Sequence, residues 1–458
     1  MSDRVPSSPH APADEAIVHT LRVQLEGVDQ LVGILHGLIG RGGHRIRFAY
    51  VPGYRGPALS CSLTPRDEPY GDREARTYFD NLLPEGAARR DVVDHSGRPF
   101  DEDDVAGLLS VVGGECPGAV MVVPPGVPSP KVPGDLRSDY ELLTDNELAE
   151  TLRGLAAGLA PDDLVRASLP GVQPKLAVAY DADSDTFMRP RTYGVPTTHL
   201  LKVAPAREPR FAGVIGNEML CMRVAARLGL PVAEMQRLAF DDVEALVVRR
   251  YDRTIAPDKI VRRLHQEDAA QALGLDRTLK YENKARAAGR AAGLAELLGP
   301  FSSFTVAPAE TRDVLRRAVF ANWLLGNNDA HMKNFSLLHP ADGGQPTLAP
   351  LYDIVSVETL PGRWTEMAMR MHGTEVAAAV RRSDIEWLAA FDGNDRRPPG
   401  TVLRRRLGAF RDMAAAVLSG IAGVVQAEDA SEDEAAPIES VARARLAILQ
   451  REFGWNLV

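Results

Sequence analysis

Residues 323–338 read WLLGNNDAHMKNFSLL, and residues 351–354 read LYDI after one turn-rich loop. An apolar helix end leads here into a cluster of Asp, His, Lys and Asn, and the second apolar run carries a lone Asp. Buried apolar flanks hold a short polar segment in place. The pattern therefore predicts a polar loop fixed between a helix and a strand, although Asn and Asp also serve in such loops simply as turn formers and caps.

The spacing of the polar residues inside this segment is typical of a site for phosphoryl transfer. Asp329 and Asn334 stand five positions apart, the separation at which protein kinases place a catalytic-loop Asp and a metal-binding Asn. Asp353 follows where a second magnesium carboxylate would be needed. Phosphoryl transfer asks for little covalent chemistry from the protein, so one carboxylate near the attacking hydroxyl and two oxygen ligands for Mg²⁺ form a nearly complete set. So short a pattern also has many accidental matches.

Segments upstream of Asp329 resemble further elements of a kinase site, and they occur in the order in which a kinase sequence has them. Residues 198–203, THLLKV, predict a strand that carries Lys202 towards nucleotide phosphates, the alternative being an edge-strand lysine that discourages aggregation. Residues 168–175, SLPGVQPK, form a turn-rich loop that could cover phosphates with backbone N–H groups, although it is neither G-x-G-x-x-G nor a Walker loop.

A predicted helix and a predicted strand follow Lys202. The helix opens at Asn217-Glu218 and stops at Gly229. Glu218 could pair with Lys202 or could simply suit the helix dipole. Residues 245–253, ALVVRRYDR, predict a strand that ends at the hinge between two lobes. Residues 266–268, QED, are typical of the first turn of a helix.

These motifs together resemble the HipA family of serine/threonine kinase toxins. The resemblance rests on SLPGVQPKLAV, HLLKV, NEMLCMRVAARLGLPV, ALVVRRYDR, RLHQEDAAQALGL followed by KYE, NWLLGNNDAHMKNFSLL and LAPLYDIVS. In the N-terminal part, residues 21–38 resemble the family's opening strand pair, YFDNLLPEG (78–86) is similar to its FxNLLPEG motif, and GGECPGAV (113–120) resembles its glycine-rich turn. The match runs from about Leu21 to about Gly373.

The resemblance implies an α+β fold of two lobes, like that of protein kinases, with a mixed α/β N-terminal lobe and an all-helical C-terminal lobe. It further implies a kinase that uses ATP and Mg²⁺ and is held inactive by a HipB-like helix-turn-helix antitoxin. Well-known members phosphorylate a serine of an aminoacyl-tRNA synthetase, usually glutamyl-tRNA synthetase, which inhibits translation and promotes growth arrest and persistence. The same target class is the expectation for this chain.

The resemblance also implies roles for individual residues. Asp329 would be catalytic, and Asn334 and Asp353 would bind magnesium. ATP contacts are expected from Lys202, Arg249, Arg250, Tyr251, His331, Lys333 and the loop residues Gly171, Val172 and Gln173. Ser168 falls at the position of the autophosphorylated serine, whose modification switches the kinase off, and Glu218, Gln266 and Asp268 are possible supporting residues. This chain has Arg249 where relatives often have an acid, which a backbone contact to adenine should tolerate.

Composition is consistent with these expectations. The 458 residues carry a net charge of −9, which argues against a chain that grips nucleic acid by itself. Arg404, Arg405 and Arg406 are candidates for contact with operator DNA that the antitoxin presents, a solvated helix face being the simpler interpretation. The three scattered cysteines and the absence of a bilayer-length apolar run predict a cytoplasmic protein without a membrane partner.

Breaks in the pattern divide the chain into four parts. Residues 1–17 are expected to be a disordered tail, 18–125 an N-terminal subdomain, 140–251 the nucleotide-binding part of the N-lobe and 252–458 the C-lobe with the catalytic loop and the magnesium site. Helices are predicted over 314–325, 376–390, 401–425 and 438–453, with the acidic stretch 428–436 as a loop between the last two. Two other functions stay open: a non-catalytic corepressor that bridges antitoxin on DNA, and a small-molecule kinase.

Overall fold

The computed structural model describes residues 15–127, 131–159, 173–192, 194–240, 242–362, 364–394, 396–427 and 429–457. Three of the predicted site residues, Ser168, Gly171 and Val172, lie outside the described residues, and so does most of the predicted tail.

The N-terminal module is a four-stranded antiparallel sheet in the order β3-β2-β1-β4, covered by three helices. Along its first strand Leu21, Val23 and Leu25 are buried while their neighbours are more exposed, so that one face of the strand packs into a core. The strand begins within the predicted tail. The elements are β1 Ala16–Leu25, β2 Gly33–Gly40, β3 Gly43–Tyr50, α1 Asp72–Phe79, α2 Gly86–Ser96, α3 Val105–Val112 and β4 Val120–Val123.

The N-lobe that follows contains a six-stranded sheet. Its elements are β5 Gly134–Asp135, β6 Tyr140–Leu142, α4 Asp145–Ala156, β7 Lys175–Asp181, β8 Thr186–Pro190, β9 His199–Val203, α5 Val214–Arg227, β10 Met235–Phe240 and β11 Val243–Arg249. The sheet order is β10-β11-β9-β7-β8-β6, while β5 belongs to a separate small sheet. Leu201 and Val203 pack beneath α4, whereas Leu200 and Lys202 face a cleft. Lys202 therefore lies on a central strand, and the edge-strand alternative is wrong.

The C-lobe is mainly helical and shares one large core with α5. Its elements are β12 Arg253–Ile255, β13 Ile260–Arg263, β14 His265–Asp268, α6 Ala269–Ala272, α7 Glu282–Ala287, α8 Leu294–Glu296, α9 Pro308–Leu325, β15 Ser336–His339, β16 Thr347–Leu348, β17 Glu366–Met371, β18 Thr374–Val376, α10 Arg382–Ala390, α11 Gly400–Gln426 and α12 Glu432–Phe453. Of the described helices, α11 is long and apolar enough to span a membrane by length and composition, but it packs on α5, α9 and α12 as a core helix does.

The structure corrects several predicted elements. The C-lobe is not all helical, because short strands pair beside the loop of residues 326–335 and beside α10. The helix predicted over 376–390 begins only at Arg382, where the Asp384 carboxylate accepts a hydrogen bond from the Arg381 N–H at 2.8 Å. The predicted acidic loop is partly helical, because Ser431 caps α12 and the acids of its first turn suit the helix dipole. Residues 266–268 belong to β14, and Asp268 is the N-cap of α6.

Candidate active site

A cleft of about 420 Å³ lies between the sheet of the N-lobe and the C-lobe. Its volume is within the range of small-molecule and cofactor sites. The described residues that line it include Gln173, Lys202, Arg249, Arg250, Tyr251, Gln266, Asp268, Asp329, His331, Lys333, Asn334 and Asp353. The sequence-predicted residues from distant segments are thus brought together in one cleft, together with side chains that sequence reasoning did not single out.

Lys202 is the centre of the charged network in this cleft. The lysine Nζ lies 2.6 Å from Glu218 Oε1 on α5 and 2.9 Å from Asp353 Oδ1. Burial by itself would lower the pKa of Lys202, but the carboxylates of Asp353 and Glu218 raise it above its usual value. Lys202 is therefore charged at neutral pH, and of the two alternatives for Glu218 the structure shows the pairing with Lys202.

Asp353 links this lysine to the loop of residues 326–335. Its Oδ2 accepts a hydrogen bond from Asn334 Nδ2 at 2.9 Å, and its backbone has a φ of +61°, a left-handed conformation that is uncommon outside glycine. The nearby Lys202 ammonium holds the pKa of Asp353 well below its ordinary value. Asn334 Oδ1 accepts the His331 N–H at 3.0 Å, which leaves this oxygen a second lone pair. An ionised carboxylate and an amide oxygen are both hard ligands suited to Mg²⁺. Asn334 and Asp353 therefore fit the role of magnesium ligands.

Asp329 is held near these residues by the end of α9. Gly326 ends the helix with a φ of +75°, and the Asn328 side chain ties the loop to Trp364 O at 2.6 Å. The Asp329 carboxylate has one oxygen, Oδ1, that is buried and has no hydrogen-bond partner among the described residues. Burial raises the pKa of Asp329 to about 6, with a smaller opposing effect of the Tyr281 hydroxyl. A poorly solvated carboxylate of this kind is suited to accept a proton near neutral pH.

His331 and Lys333 occupy the same loop. The His331 ring contacts the Tyr281 ring edge to face at 5.2 Å between centroids, and burial lowers the pKa of His331 to about 3. The imidazole is therefore neutral at pH 7. The ammonium of Lys333 lies 2.8 Å from Asp268 Oδ2 and 2.8 Å from Asn81 Oδ1. In this structure Lys333 is bound to protein oxygens, and its predicted contact with ATP would require an exchange of partners.

The three residues of the predicted hinge, Arg249, Arg250 and Tyr251, differ in their burial and in their partners. The Arg250 guanidinium is buried and binds Asp252 at 3.0 and 2.9 Å, which makes it a structural group. Arg249 is exposed at the rim and pairs with Glu234 at 2.8 Å. Tyr251 stacks on Tyr352, and its hydroxyl donates to Gln266 Oε1 at 2.6 Å.

Lys175 and Gln173 extend the side of the cleft on which Lys202 lies. Lys175 is the register partner of Lys202 across β7 and β9, so the two side chains share one face of the sheet. Burial, and then the charge of Lys202, lower the pKa of Lys175 to about 8. The Gln173 side chain donates to Val203 O at 3.2 Å. Sequence reasoning named Lys175 only as the end of a loop, although its position at a strand start was a usable signal.

The N-terminal module also reaches the cleft. Asn81 and Glu85 of the YFDNLLPEG motif line it, as do Lys280 and Tyr281 of the KYE segment. Glu85 Oε2 accepts a hydrogen bond from Lys280 Nζ at 2.8 Å. These residues were quoted only as signs of resemblance, and their contribution to the cleft was missed.

The triple arginine on α11 lies apart from the lining of the cleft. Arg404 and Arg405 are exposed, as a solvated face or a DNA contact would require. Arg406 is partly buried and binds Asp392 at 2.7 Å and Ala389 O at 3.1 Å. Arg406 therefore fastens α11 to the end of α10, and only the other two arginines are available at the surface.

A second buried acid, Glu267, lies at the junction between the N-terminal module and the C-lobe. Its carboxylate accepts hydrogen bonds from Ser60 Oγ at 2.5 Å, the Cys61 N–H at 2.9 Å and His339 Nε2 at 2.8 Å. The side-chain atoms of Cys61, Glu267 and His339 that could bind a metal ion lie within 4.8 Å of one another. Because both oxygens of Glu267 are already satisfied and burial raises the pKa of the Cys61 thiol, the cluster is a structural junction.

Comparisons with known proteins agree with this geometry. Residues 167–419 match the HipA-like C-terminal domain, and residues 22–123 match the HipA N-terminal domain. Y4mE of Sinorhizobium fredii, a protein named as a kinase, is 36% identical over 71% of this chain and 74% of its own length. The serine/threonine-protein kinase toxin HipA of Shewanella oneidensis is 29% identical over 67% of this chain and 68% of its own length.

A solved structure supports the fold. The Shewanella oneidensis MR-1 complex of HipA, HipB and operator DNA contains a chain that matches with a TM-score of 0.74, covering 95% of this chain and 98% of that one at 23% identity. The predicted two-lobed, kinase-like α+β class is thereby confirmed. With both domain models matched in order along the sequence, this chain belongs to the HipA family of kinases.

Proposed function

We propose that this protein is an ATP- and magnesium-dependent serine/threonine kinase that acts in the cytoplasm as the toxin of a HipBA-like toxin–antitoxin module. The observation that carries the proposal is the arrangement around Lys202 and Asp329. Lys202 joins Glu218 to Asp353, and a buried oxygen of Asp329 in the same cleft has no partner among the described side chains. Three of the buried polar atoms that have no partner among the described residues belong to the lining of this cleft, on Glu218, Asp329 and His331, as expected for a site that receives a polar ligand.

The proposed mechanism follows from the positions of these groups. Lys202 and Lys175 would bind the phosphates on the sheet side, and Asn334 and Asp353 would hold Mg²⁺. A metal held there would supply positive charge to neutralise the charge that develops on the transferred phosphoryl group. Asp329 orients the incoming serine hydroxyl and accepts its proton, with the raised pKa placing its basicity near the working pH. Tyr251 and the hinge backbone border the adenine.

The proposed acceptor is a serine of a protein, with an aminoacyl-tRNA synthetase, most simply glutamyl-tRNA synthetase, as the first candidate. Phosphorylation of such an enzyme would inhibit translation and produce growth arrest and persistence. A HipB-like antitoxin would restrain the kinase and bring it to operator DNA, where Arg404 and Arg405 are candidate contacts. Autophosphorylation at Ser168 is part of the same proposal, which is supported by the family relationship.

The decisive experiment incubates the purified protein with γ-labelled ATP, Mg²⁺ and host lysate, and identifies labelled residues by mass spectrometry. The expected result is a labelled serine in one acceptor protein. Asp329→Asn and Asp353→Asn serve as matched variants that should lose the label while remaining folded and able to bind antitoxin. Labelling by either variant at the level of the wild-type protein would contradict the assignment.

The same experiment separates the two other functions. A corepressor without catalysis would bind antitoxin and DNA but transfer no phosphate to protein or metabolite. A small-molecule kinase would consume ATP and label a metabolite fraction while leaving proteins unlabelled.

A further inference from the structure

The YFDNLLPEG motif of the N-terminal module docks on the C-lobe through polar side chains. Asp80 binds Arg277 at 3.0 Å, Asn81 binds Lys333 at 2.8 Å, and Glu85 binds Lys280 at 2.8 Å. The last two of these contacts lie in the lining of the cleft. The module thus touches the residues that flank the candidate catalytic Asp in space, and the contact with Lys333 enters the catalytic loop itself.

Lys333 is fully occupied in this contact. An ammonium has three N–H donors, and Lys333 Nζ lies near three acceptors: Asn81 Oδ1 at 2.8 Å, Asn81 O at 3.3 Å and Asp268 Oδ2 at 2.8 Å. The lysine is buried and directly precedes Asn334. Its fixed ammonium therefore fixes the position of the loop that joins Asp329 to the magnesium ligand.

Asn81 is itself held rigidly. It is 2% exposed, and its Nδ2 donates to Thr77 O at 2.7 Å and to Leu275 O at 3.0 Å. Because both carbonyls can only accept, the amide nitrogen must face them, and the amide oxygen must face Lys333. The side chain is oriented by α1 on one side and by the segment after α6 on the other. Simple adhesion between the module and the C-lobe would not require an acceptor aimed at the catalytic loop.

We propose that Asn81 is a positioning residue for phosphoryl transfer: it holds the Lys333 ammonium, and through Lys333 the loop between Asp329 and Asn334. The N-terminal module is then a part of the catalytic apparatus as well as a docked domain. This inference rests on the proposed kinase function. Because Asn81 acts through Lys333, its loss should affect kcat more than folding, and its effect should disappear once Lys333 is replaced.

The test measures ADP release from Mg-ATP and transfer of labelled phosphate to lysate protein by the full-length chain. Asn81→Ala should lower kcat about tenfold or more, the effect of losing one hydrogen bond to a charged group. The matched control is Ser62→Ala, which removes the 2.7 Å hydrogen bond from Ser62 Oγ to Gln271 O, another contact between the module and α6. Ser62 does not belong to the described lining of the cleft, so kcat of Ser62→Ala should stay within about twofold. Both variants should lose thermal stability, Asn81→Ala the more because Asn81 makes three side-chain hydrogen bonds.

A double-mutant cycle with Lys333→Met decides how Asn81 acts. Non-additive losses, with the double variant no slower than Lys333→Met alone, support the inference. Additive losses, or an Asn81→Ala variant with unchanged kcat, overturn it.

Hydrogen exchange distinguishes failure of this inference from failure of the proposed function. Amides of residues 329–335 should exchange faster in Asn81→Ala and not in Ser62→Ala, whether or not the protein transfers phosphate. If the wild-type protein transfers none, the kinase proposal fails, while unchanged exchange in Asn81→Ala removes the positioning role itself.

Discussion

Two acidic residues of this protein, the buried Glu267 and the partly buried Asp329, differ in how their carboxylate oxygens are satisfied. Glu267, at the junction beneath the N-terminal module, accepts hydrogen bonds from a hydroxyl, a backbone N–H and an imidazole. Asp329, in the cleft, leaves Oδ1 without a partner in the described part of the chain. A buried polar group without a partner lowers stability. Glu267 therefore contributes to stability, whereas Asp329 Oδ1 is open to the ligand of the proposed kinase function.

The pKa values support the same contrast. Burial would raise the pKa of Glu267, but the hydrogen bond and charge of His339 keep it below its usual value. Burial raises the pKa of Asp329 to about 6. The surroundings of Glu267 therefore stabilise its ionised form, whereas the surroundings of Asp329 destabilise the ionised form of that residue.

The largest expected effect comes from Asp329→Asn. Phosphoryl transfer should fall by about a hundredfold to ten-thousandfold, because the variant has no base to accept the serine proton. The free energy of unfolding at pH 7 should stay the same or rise, because the change removes a poorly solvated charge. Labelled-phosphate transfer and chemical denaturation measure the two quantities. A variant that unfolds easily and is inactive for that reason would break the comparison with Glu267.

Glu267→Gln should give the opposite result. The free energy of unfolding should fall by about 1 to 3 kcal/mol, the usual loss when a buried hydrogen-bonded charge is removed. The kcat of the folded protein should change far less than that of Asp329→Asn, since Glu267 does not line the described cleft. Denaturation and steady-state kinetics on the same preparation give both values. A large loss of kcat with unchanged stability would assign Glu267 to catalysis.

The pH dependence of Asp329 gives a smaller effect. Phosphoryl transfer needs its ionised form, so kcat/KM should fall about tenfold per pH unit below pH 6. Because the folded-state pKa is raised, the folded protein holds an extra proton between about pH 4 and pH 6. The stability from that proton is present at low pH and is lost as pH rises through about 6, a change of about 2 to 3 kcal/mol. Asp329→Asn should lack this change, and a wild-type curve identical to that of the variant would contradict the assignment.

The sequence was sufficient to predict contacts between residues whose secondary structure follows from the local sequence pattern. Alternation placed Lys202 on a strand, helical spacing placed Glu218 on α5, and the interval from Asp329 to Asn334 predicted a shared loop. Chain order alone could not predict that Asn81 contacts Lys333 from 252 positions away, since that contact depends on how two separate cores dock. The ion pairs of Arg250 and Arg406 were missed for the same reason. The short strands of the C-lobe carry too few residues for a clear alternation.

The smallest expected effect comes from Lys175, a basic residue of the same cleft whose charge, like that of Asp329, depends on pH. With its pKa lowered to about 8, it loses its charge as pH rises through that value, and the KM for ATP should then increase about fivefold, as expected for an ion pair worth about 1 kcal/mol. Lys175→Met should show the raised KM at every pH. Lys175→Arg keeps its charge above pH 8 and should remove the alkaline increase while leaving the KM at pH 7 near the wild-type value. An alkaline increase that persists in Lys175→Arg would belong to another group, and an unchanged KM in Lys175→Met at pH 7 would show that Lys175 has no part in binding the phosphates.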